Sequence, residues 1–490
     1  MKTSISSCFS HRTQRVLIIC AIFAVFFCIV LLNITRTSVW GDEGFSVMTI
    51  GGGNGVNASM ENFWNLIMAD NHPFLYNFLL YFYAKVFGYS DGVLRFFSTL
   101  WICVGGMIGY FLLRKYRGGG EWFSLLYLIF FILAPNTIYY AQELRNYGMI
   151  LGLSSIFCVL YFLIREYLYN RFETQHIKTY FFSLVCIGVA LILTHYYAYI
   201  FLFSAGCALL FESFVKKKLF LITLGSFVFI GIVGIVWLFL HCYMGGFHLR
   251  ITGASNGDFW TYDRGLTMLL LSIVLSMLGK YGWGAVLFAL SYAVLMCFKS
   301  LKQYIKFYSG LCLPVVLEMI IAAGIFTVLT KTVVVRYFME LYPFAYLFIA
   351  LVLNVGGKRI VPFIFLIVVC LIGHSVFLSK TYEKEDIHSA SVYVESHFDK
   401  NACKLPVGWI SYARYLPNFE VVERPLLQDG CDLILLSVTD IDDAAQDFSN
   451  IRSYLAKYDI TNGYCIVEFN NAVLVFKDNY QGCKKATNIQ

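Results

Sequence analysis

Phe74-Leu75-Tyr76-Asn77-Phe78-Leu79-Leu80-Tyr81-Phe82-Tyr83-Ala84-Lys85-Val86-Phe87-Gly88 is the run whose reading decides the fold. It is apolar and aromatic, but it carries Lys85 and falls short of the roughly 20 residues that cross a hydrocarbon core. If it spans, the next apolar run crosses back and Arg114-Lys115-Tyr116-Arg117 lies outside. The same reversal then passes to several later loops. If it lies in the interface, the basic loops all face the cytoplasm, as membrane proteins prefer. These loops hold Arg114/Lys115/Arg117, Arg165/Arg171/Lys178, Lys216–Lys218, Lys299/Lys302/Lys306 and Lys358/Arg359. The interfacial reading follows.

The same parity applies between 264 and 298, where one full span is allowed. Asp263 to Met277 then reads as a second interfacial helix and 282–298 as the span. The expected count is eleven spans, at about 16–34, 94–113, 122–138, 148–164, 179–194, 197–214, 219–240, 282–298, 307–328, 336–354 and 360–379. Lys2, Arg12 and Arg15 precede the first span, which places the N-terminus in the cytoplasm. A signal peptide is the competing reading, but no small-residue cleavage site precedes Asp42.

Composition agrees. The 490 residues are 59% hydrophobic and 14% charged, whereas soluble domains carry about 25% charged residues. The expectation is an all-α polytopic membrane protein. The net charge of +7 sits in loops between spans and does not point to nucleic acid. Composition changes near Lys380. Residues 381–490 carry charges, strand-like runs at Leu433–Val438 and Asn471–Phe476, and a helix-like stretch around Ala444–Tyr458. The expected organisation is a transmembrane domain over 1–380, with an outer loop at 35–93, and a small extracytoplasmic α/β domain over 381–490. Cys403, Cys431, Cys465 and Cys483 lie in that tail without zinc-site spacing; disulfides suit them if the tail is extracytoplasmic, with the pairing open.

With this topology the outer face collects Trp40-Gly41-Asp42-Glu43-Gly44, His72, Gln142-Glu143-Leu144-Arg145-Asn146-Tyr147, His195-Tyr196-Tyr197, Lys331 and Arg336-Tyr337. Each has an ordinary reading. Asp42 and Glu43 can cap a helix, Arg145 can snorkel, His72 before Pro73 can be a helix N-cap neighbour, His195 can satisfy a turn carbonyl, and Arg336 can pair with Glu340 four residues on. Polar residues at this depth are costly unless paired or facing a cavity, and their convergence from separate loops favours a site. One carboxylate as general base with arginines for a phosphate suits sugar transfer from a lipid phosphate. A retaining glycosidase needs two carboxyls about 5 Å apart, so inverting displacement fits better. Asp42, Glu43 and Glu143 could also take a divalent cation, though no ligand spacing argues for one.

At these residues the chain resembles the GT-C glycosyltransferases. The motifs are Trp-x-Asp-Glu after the first span, His-Pro-x-Leu-Tyr about thirty residues on, Gln-Glu-x-Arg-x-Tyr after the third span, and Arg336-Tyr337 opening a late one. It is most similar to the branch of protein O-mannosyltransferases and lipid A aminoarabinose transferases. The resemblance covers about 15–380. It implies a polyprenyl-phosphate sugar donor, an acceptor outside the cytoplasm, and interfacial helices in the first outer loop. It implies Asp42 as base, with Glu43 beside it, and Arg145 near the lipid phosphate. Arg336, Lys331, Tyr147 and Tyr337 are the other candidate donor contacts. His72, Gln142, Glu143, His195 and Tyr196 are candidate substrate contacts. The acceptor is expected to be a bacterial cell-surface glycan such as O-antigen, with glucose from undecaprenyl phosphate, at the inner membrane; protein or lipid A are the alternatives. A transporter or lipid-linked sugar flippase is the alternative from another class; its main mid-span ionisable candidate is Glu318, and no internal repeat accompanies it.

Overall fold

The computed structural model describes residues 11–52, 59–70, 72–116, 120–243, 265–328, 335–355, 361–381, 386–397, 404–406, 412–415, 433–437, 464–469 and 472–477. The helices, in chain order, are α1 (His11–Asn33), α2 (Gly41–Thr49), α3 (Met60–Ala69), α4 (Leu75–Phe87), α5 (Asp91–Leu113), α6 (Gly120–Leu133), α7 (Pro135–Ala141), α8 (Tyr147–Leu168) and α9 (Ile177–Ile192). They continue with α10 (Tyr197–Val215), α11 (Phe220–Tyr243), α12 (Gly265–Tyr308), α13 (Leu313–Val328), α14 (Tyr342–Asn354), α15 (Val361–Thr381), α16 (Ile387–His397) and the short α17 (Tyr412–Tyr415). Two compact units result. One comprises Met1–Leu32, Ile67–Leu79 and Arg95–Ser379; the other comprises Asn33–Leu66, Leu80–Leu94 and Lys380–Gln490. Parts of the connection between α1 and α5 thus group with the C-terminal residues, where the sequence suggested a single cut near residue 380.

Among the described residues, seven helices are long and apolar enough to cross a membrane: Thr13–Asn33, Asp91–Leu113, Tyr147–Leu168, Tyr197–Val215, Phe220–Tyr243, Leu266–Ser291 and Val335–Asn354. The run quoted first forms α4, whose 13 residues cover about 20 Å against a core of about 30 Å. One stripe of α4 is buried (Tyr76, Asn77, Leu80, Tyr81, Ala84), while Phe82, Val86 and Phe87 are exposed. Such a two-faced helix suits an interface.

Two expected spans are not straight. The run at 122–138 breaks into α6 and α7, bent by 56°. Pro135 is the cause, because its ring clashes with the carbonyl four residues back and it donates no hydrogen bond. The run at 336–354 begins as a 3₁₀ segment, Val335–Leu341, before α14 opens with Pro near its first position. The stretch 265–308 is helical throughout, but Gly279 adopts φ +67° inside it. The indole Nε1 of Trp283 donates to the carbonyl of Val274 at 2.7 Å. Nine residues of straight helix rise about 13 Å, too far for that bond. The stretch is therefore folded at Gly279, which agrees in kind with the two pieces expected there, although no loop separates them.

The first unit is organised on α8, all of whose apolar window is buried. Gly148 and Gly152, spaced G-x-x-x-G, let α5 approach it backbone to backbone. A Cβ added at Gly148 would stand 2.7 Å from Cβ of Ser98, and one at Gly152 would collide with the carbonyl of Trp101. Ser155 Oγ then donates to the carbonyl of Gly105 at 3.1 Å. At the far end of α8, Arg165, Glu166 and Glu212 are buried. Arg165 Nε lies 2.9 Å from Glu212, and Arg171 Nη2 lies 2.9 Å from Glu166. The Tyr116 hydroxyl donates to Glu166 at 2.8 Å. Two cations facing two carboxylates make this burial tolerable.

In the second unit, β1 (Lys404–Pro406), β2 (Leu433–Ser437), β3 (Tyr464–Phe469) and β4 (Ala472–Lys477) form one sheet in the order β1-β2-β4-β3. β1 pairs parallel with β2; the other pairs are antiparallel, with Leu433 and Cys465 both opposite Phe476. Ile387, Ala390 and Val394 form one face of α16 and pack on Cys465, Leu474 and Phe476, a stripe at helical spacing. Cys465 is disulfide-bonded. Cys403, Cys431, Cys483 and the helix expected at Ala444–Tyr458 lie outside the described residues.

Candidate functional site

The first unit gathers a cationic and aromatic cluster. Its anchor is the turn Gln142–Asn146, forced on the chain where α7 ends and α8 begins. The turn is pinned from several sides. Thr99 Oγ1 donates to the carbonyl of Ala141 at 2.7 Å, Ser98 Oγ to that of Arg145 at 3.2 Å, and Asn146 Nδ2 to that of Thr194 at 3.0 Å. The last of these joins the turn to the α9–α10 connection, and the Leu75 N–H donates to the carbonyl of Leu193 at 2.9 Å. Arg145, His72 and His195 thereby meet although they come from three separate connections.

Arg145, His72 and His195 are all buried. Nη2 of Arg145 lies 3.4 Å from Nδ1 of His72, and Oδ1 of Asp70 lies 3.4 Å from the same nitrogen. That nitrogen can accept from the guanidinium or donate to the carboxylate, not both at once. The rings of His72 and His195 are 5.7 Å apart, and His195 is also flanked by Tyr147 at 6.1 Å, Tyr197 at 5.8 Å and Tyr337 at 5.5 Å. The Tyr197 N–H donates to His195 Nδ1 at 3.3 Å. Glu340 Oε1 stands 3.8 Å from that nitrogen, a distance at which it acts through charge and not through a hydrogen bond. The guanidinium of Arg336, half-buried, lies over the Tyr147 ring at 5.9 Å, within reach of a cation–π attraction.

Other candidates have different duties. Gln142 Nε2 donates to the carbonyl of Ile138 at 2.8 Å and so closes α7. Glu143 is buried. The hydroxyl of Tyr196 bonds to His241 Nδ1, and the two rings stack at 6.0 Å; burial pushes that hydroxyl well above the ordinary tyrosine range. Lys331 lies outside the described residues. The sequence reading missed Asp70 and His241. Asp70 sits two residues from His72, and His241 is a lone ionisable residue in the last turn of an apolar helix, a position that by itself signals a polar partner. Glu340 was visible only as a possible helical partner of Arg336; the 3₁₀ path of Val335–Leu341 changes the side-chain spacing that such a pair assumes.

The carboxylate turn belongs to the second unit. Asp42 and Glu43 occupy the first turn of α2, where negative charge faces the positive end of the helix dipole. They are not equivalent. Glu43 is fully buried, and its Oε2 accepts the Trp40 N–H at 3.4 Å, as the third residue of a helix does in a capping box. Asp42, one position earlier, is half-buried. Of the three carboxylates considered for a cation, Asp42 and Glu43 belong to the second unit and Glu143 to the first. Among the described residues, no group of three His, Cys, Asp or Glu side chains is placed to hold a metal.

No family model matches the chain, and no curated protein matches it in sequence. Solved structures do. ArnT from Cupriavidus metallidurans in the apo state is similar at TM-score 0.57 and 11% identity, over 94% of this chain and 97% of its own. The structure of that protein bound to undecaprenyl phosphate gives 0.55 and 12%, over 95% and 98%. The fold is thus shared with that protein across nearly the whole of both chains.

Proposed function

We propose that the protein is an inverting glycosyltransferase that moves a sugar from a polyprenyl-phosphate donor to an acceptor outside the cytoplasm. The observation that carries this reading is the buried cluster of Arg145 with His72 and His195, beside Arg336, Tyr147 and Tyr337. Arginine presents a planar fork that matches phosphate oxygens, and tyrosine hydroxyls supply further donors. A similar fold binds undecaprenyl phosphate in ArnT, which supports the same class of donor here. Asp42 is the general base that deprotonates the acceptor hydroxyl, and Glu43 holds the turn. The phosphate leaves as a weak base stabilised by the cations, so no acid partner is required.

The arrangement further proposed has eleven spans: six of the long helices, the part of α12 beyond the fold at Gly279, the bent α6–α7 pair, and the shorter apolar helices at α9, α13 and α15. The N-terminus is cytoplasmic, and residues 381–490 form a small α/β domain on the other side. The disulfide at Cys465 suits an oxidising compartment. A bacterial inner membrane, undecaprenyl-phosphate glucose and an O-antigen-like surface glycan complete the reading; mass spectrometry of surface glycans with and without the protein tests them. Glu318 favours a second reading, transport or flipping of a lipid-linked sugar, because it is fully buried inside α13 with Glu340 as its electrostatic neighbour. Turnover of purified protein with a lipid-phosphate sugar and a hydroxyl acceptor decides between the two. Release of free lipid phosphate with glycosylated acceptor supports transfer, and intact donor after full incubation overturns it.

A further inference from the structure

Two residues of the C-terminal segment reach the carboxylate turn, and the whole arrangement lies within one compact unit. Tyr415 is fixed by its own surroundings. Its ring packs on the core shared by α16 and the sheet, and the His388 ring meets it edge-on at 5.1 Å. Its hydroxyl accepts the Val39 N–H at 2.9 Å and donates to Asp91 Oδ2 at 2.9 Å. Val39 is the residue before Trp40, the N-cap of α2.

Arg414 takes the opposite end. Nε and Nη2 meet Asp91 Oδ1 at 3.0 Å and 2.9 Å. Nη1 donates to the carbonyl of Gly52, just past α2, and Nη2 to that of Tyr89. A third tie runs through Ser38, whose Oγ accepts the His388 N–H at 3.0 Å and lies 3.4 Å from Asp386 Oδ1. The α2 segment is therefore held at both ends by side chains of α17, with Asp91 as their common acceptor. A short helix has little intrinsic stability, and α2 has only nine residues, so its orientation must come from its surroundings.

We propose that Arg414 and Tyr415 are positioning residues for Asp42, which makes the C-terminal segment part of the catalytic machinery. This rests on the reading of Asp42 as the base. Neither residue needs to touch the reacting atoms. They set where the Asp42 carboxylate stands, and a shift of about 1 Å in such a group costs on the order of 100-fold in rate.

The test uses the full-length protein in detergent or nanodiscs, with Arg414→Ala, Arg414→Lys and Tyr415→Phe. Two readouts are taken: kcat and KM with a polyprenyl-phosphate sugar, and hydrogen exchange of peptides covering 39–52. The expected result is a kcat lower by roughly 10–100-fold in Arg414→Ala at near-constant donor KM, with faster exchange over 39–52. Arg414→Lys should recover part of both, since an ammonium keeps the charge near Asp91 but not the fork. Tyr415→Phe should deprotect the Val39 amide. Unchanged kcat with unchanged exchange, or a loss carried wholly by donor KM, overturns the proposal. If the wild type turns over no lipid-phosphate sugar, the glycosyltransferase reading fails by itself; exchange over 39–52 still tells whether α17 holds α2.

Discussion

Arg145 Nη2 sits 3.4 Å from Nδ1 of His72, a contact that brings a guanidinium against an imidazole in a buried setting. The same nitrogen also faces Asp70, so the guanidinium and the carboxylate compete for one ring position. Asp70, on the other side of the same nitrogen, tempers the local positive charge. Under the proposed function, a donor phosphate meets a cation already oriented, which limits the entropy lost on binding.

Arg145→Ala should weaken binding of a polyprenyl-phosphate sugar by about 10–100-fold, the range of one hydrogen bond to a charged group. Arg145→Lys should restore only part, since the ammonium offers no planar fork. Titration of purified variants with the labelled lipid measures it. Normal binding by the alanine variant would reduce Arg145 to a membrane anchor.

Asp42→Asn should lower turnover by about 10²–10⁴-fold, the usual contribution of a general base, with insertion and expression unchanged. Glu43→Gln should be milder, because the amide oxygen can still accept the Trp40 N–H. Steady-state rates of the two variants compared side by side separate the roles. The opposite ranking would make Glu43 the base.

Gly148→Ala and Gly152→Ala should each lower stability by about 1–3 kcal/mol, as overpacking does, because α5 leaves no room for a methyl group. Gly225, where an added Cβ meets nothing within 4 Å, is the control. Thermal unfolding in detergent reads the difference, and equal midpoints for the three would refute the close approach.

Arg165→Ala should cost about 3–5 kcal/mol, the penalty for stranding a buried partner, here Glu212 at 2.9 Å. Adding Glu212→Leu should recover part of it. Unfolding midpoints of the single and double variants form the comparison.

Sidedness can be read directly. In a cysteine-free background, Gln142→Cys should react with an impermeant thiol reagent from the outside and Lys217→Cys from the cytoplasm. Reaction of both from one side would sink the eleven-span arrangement.

Much of this architecture was legible because lipid imposes simple rules. Apolar runs give most of the helices, and the shortness of 74–88 is matched by α4, whose 13 residues are too few to cross. The arginines and histidines stood out because ionisable groups near apolar spans need a reason. What the sequence hid was geometric. Pro135 sits inside the run read as one span at 122–138, so the bend there was not anticipated, whereas the break beside Lys280 at Gly279 was. Gly148 and Gly152 match a known spacing, but spacing alone does not name the partner helix. Asp70 and Glu340 matter through neighbours distant in sequence. Arg414 and Tyr415 lie in a segment without a recognisable motif, and only the contacts to Asp91, Gly52 and Val39 give them meaning.

Val39 and Tyr415 are separated by 376 positions along the chain. Synthesis proceeds from the N-terminus at about 5–20 residues per second, so α2 emerges tens of seconds before its clamp exists. During that interval α2 lacks the ties at Val39 and Gly52, and a chain halted before residue 412 would insert its helices without them. Setting of the turn therefore waits on residues 412–415, so that proper placement of α2 is a late event in the making of the chain, well after α1 has entered the membrane.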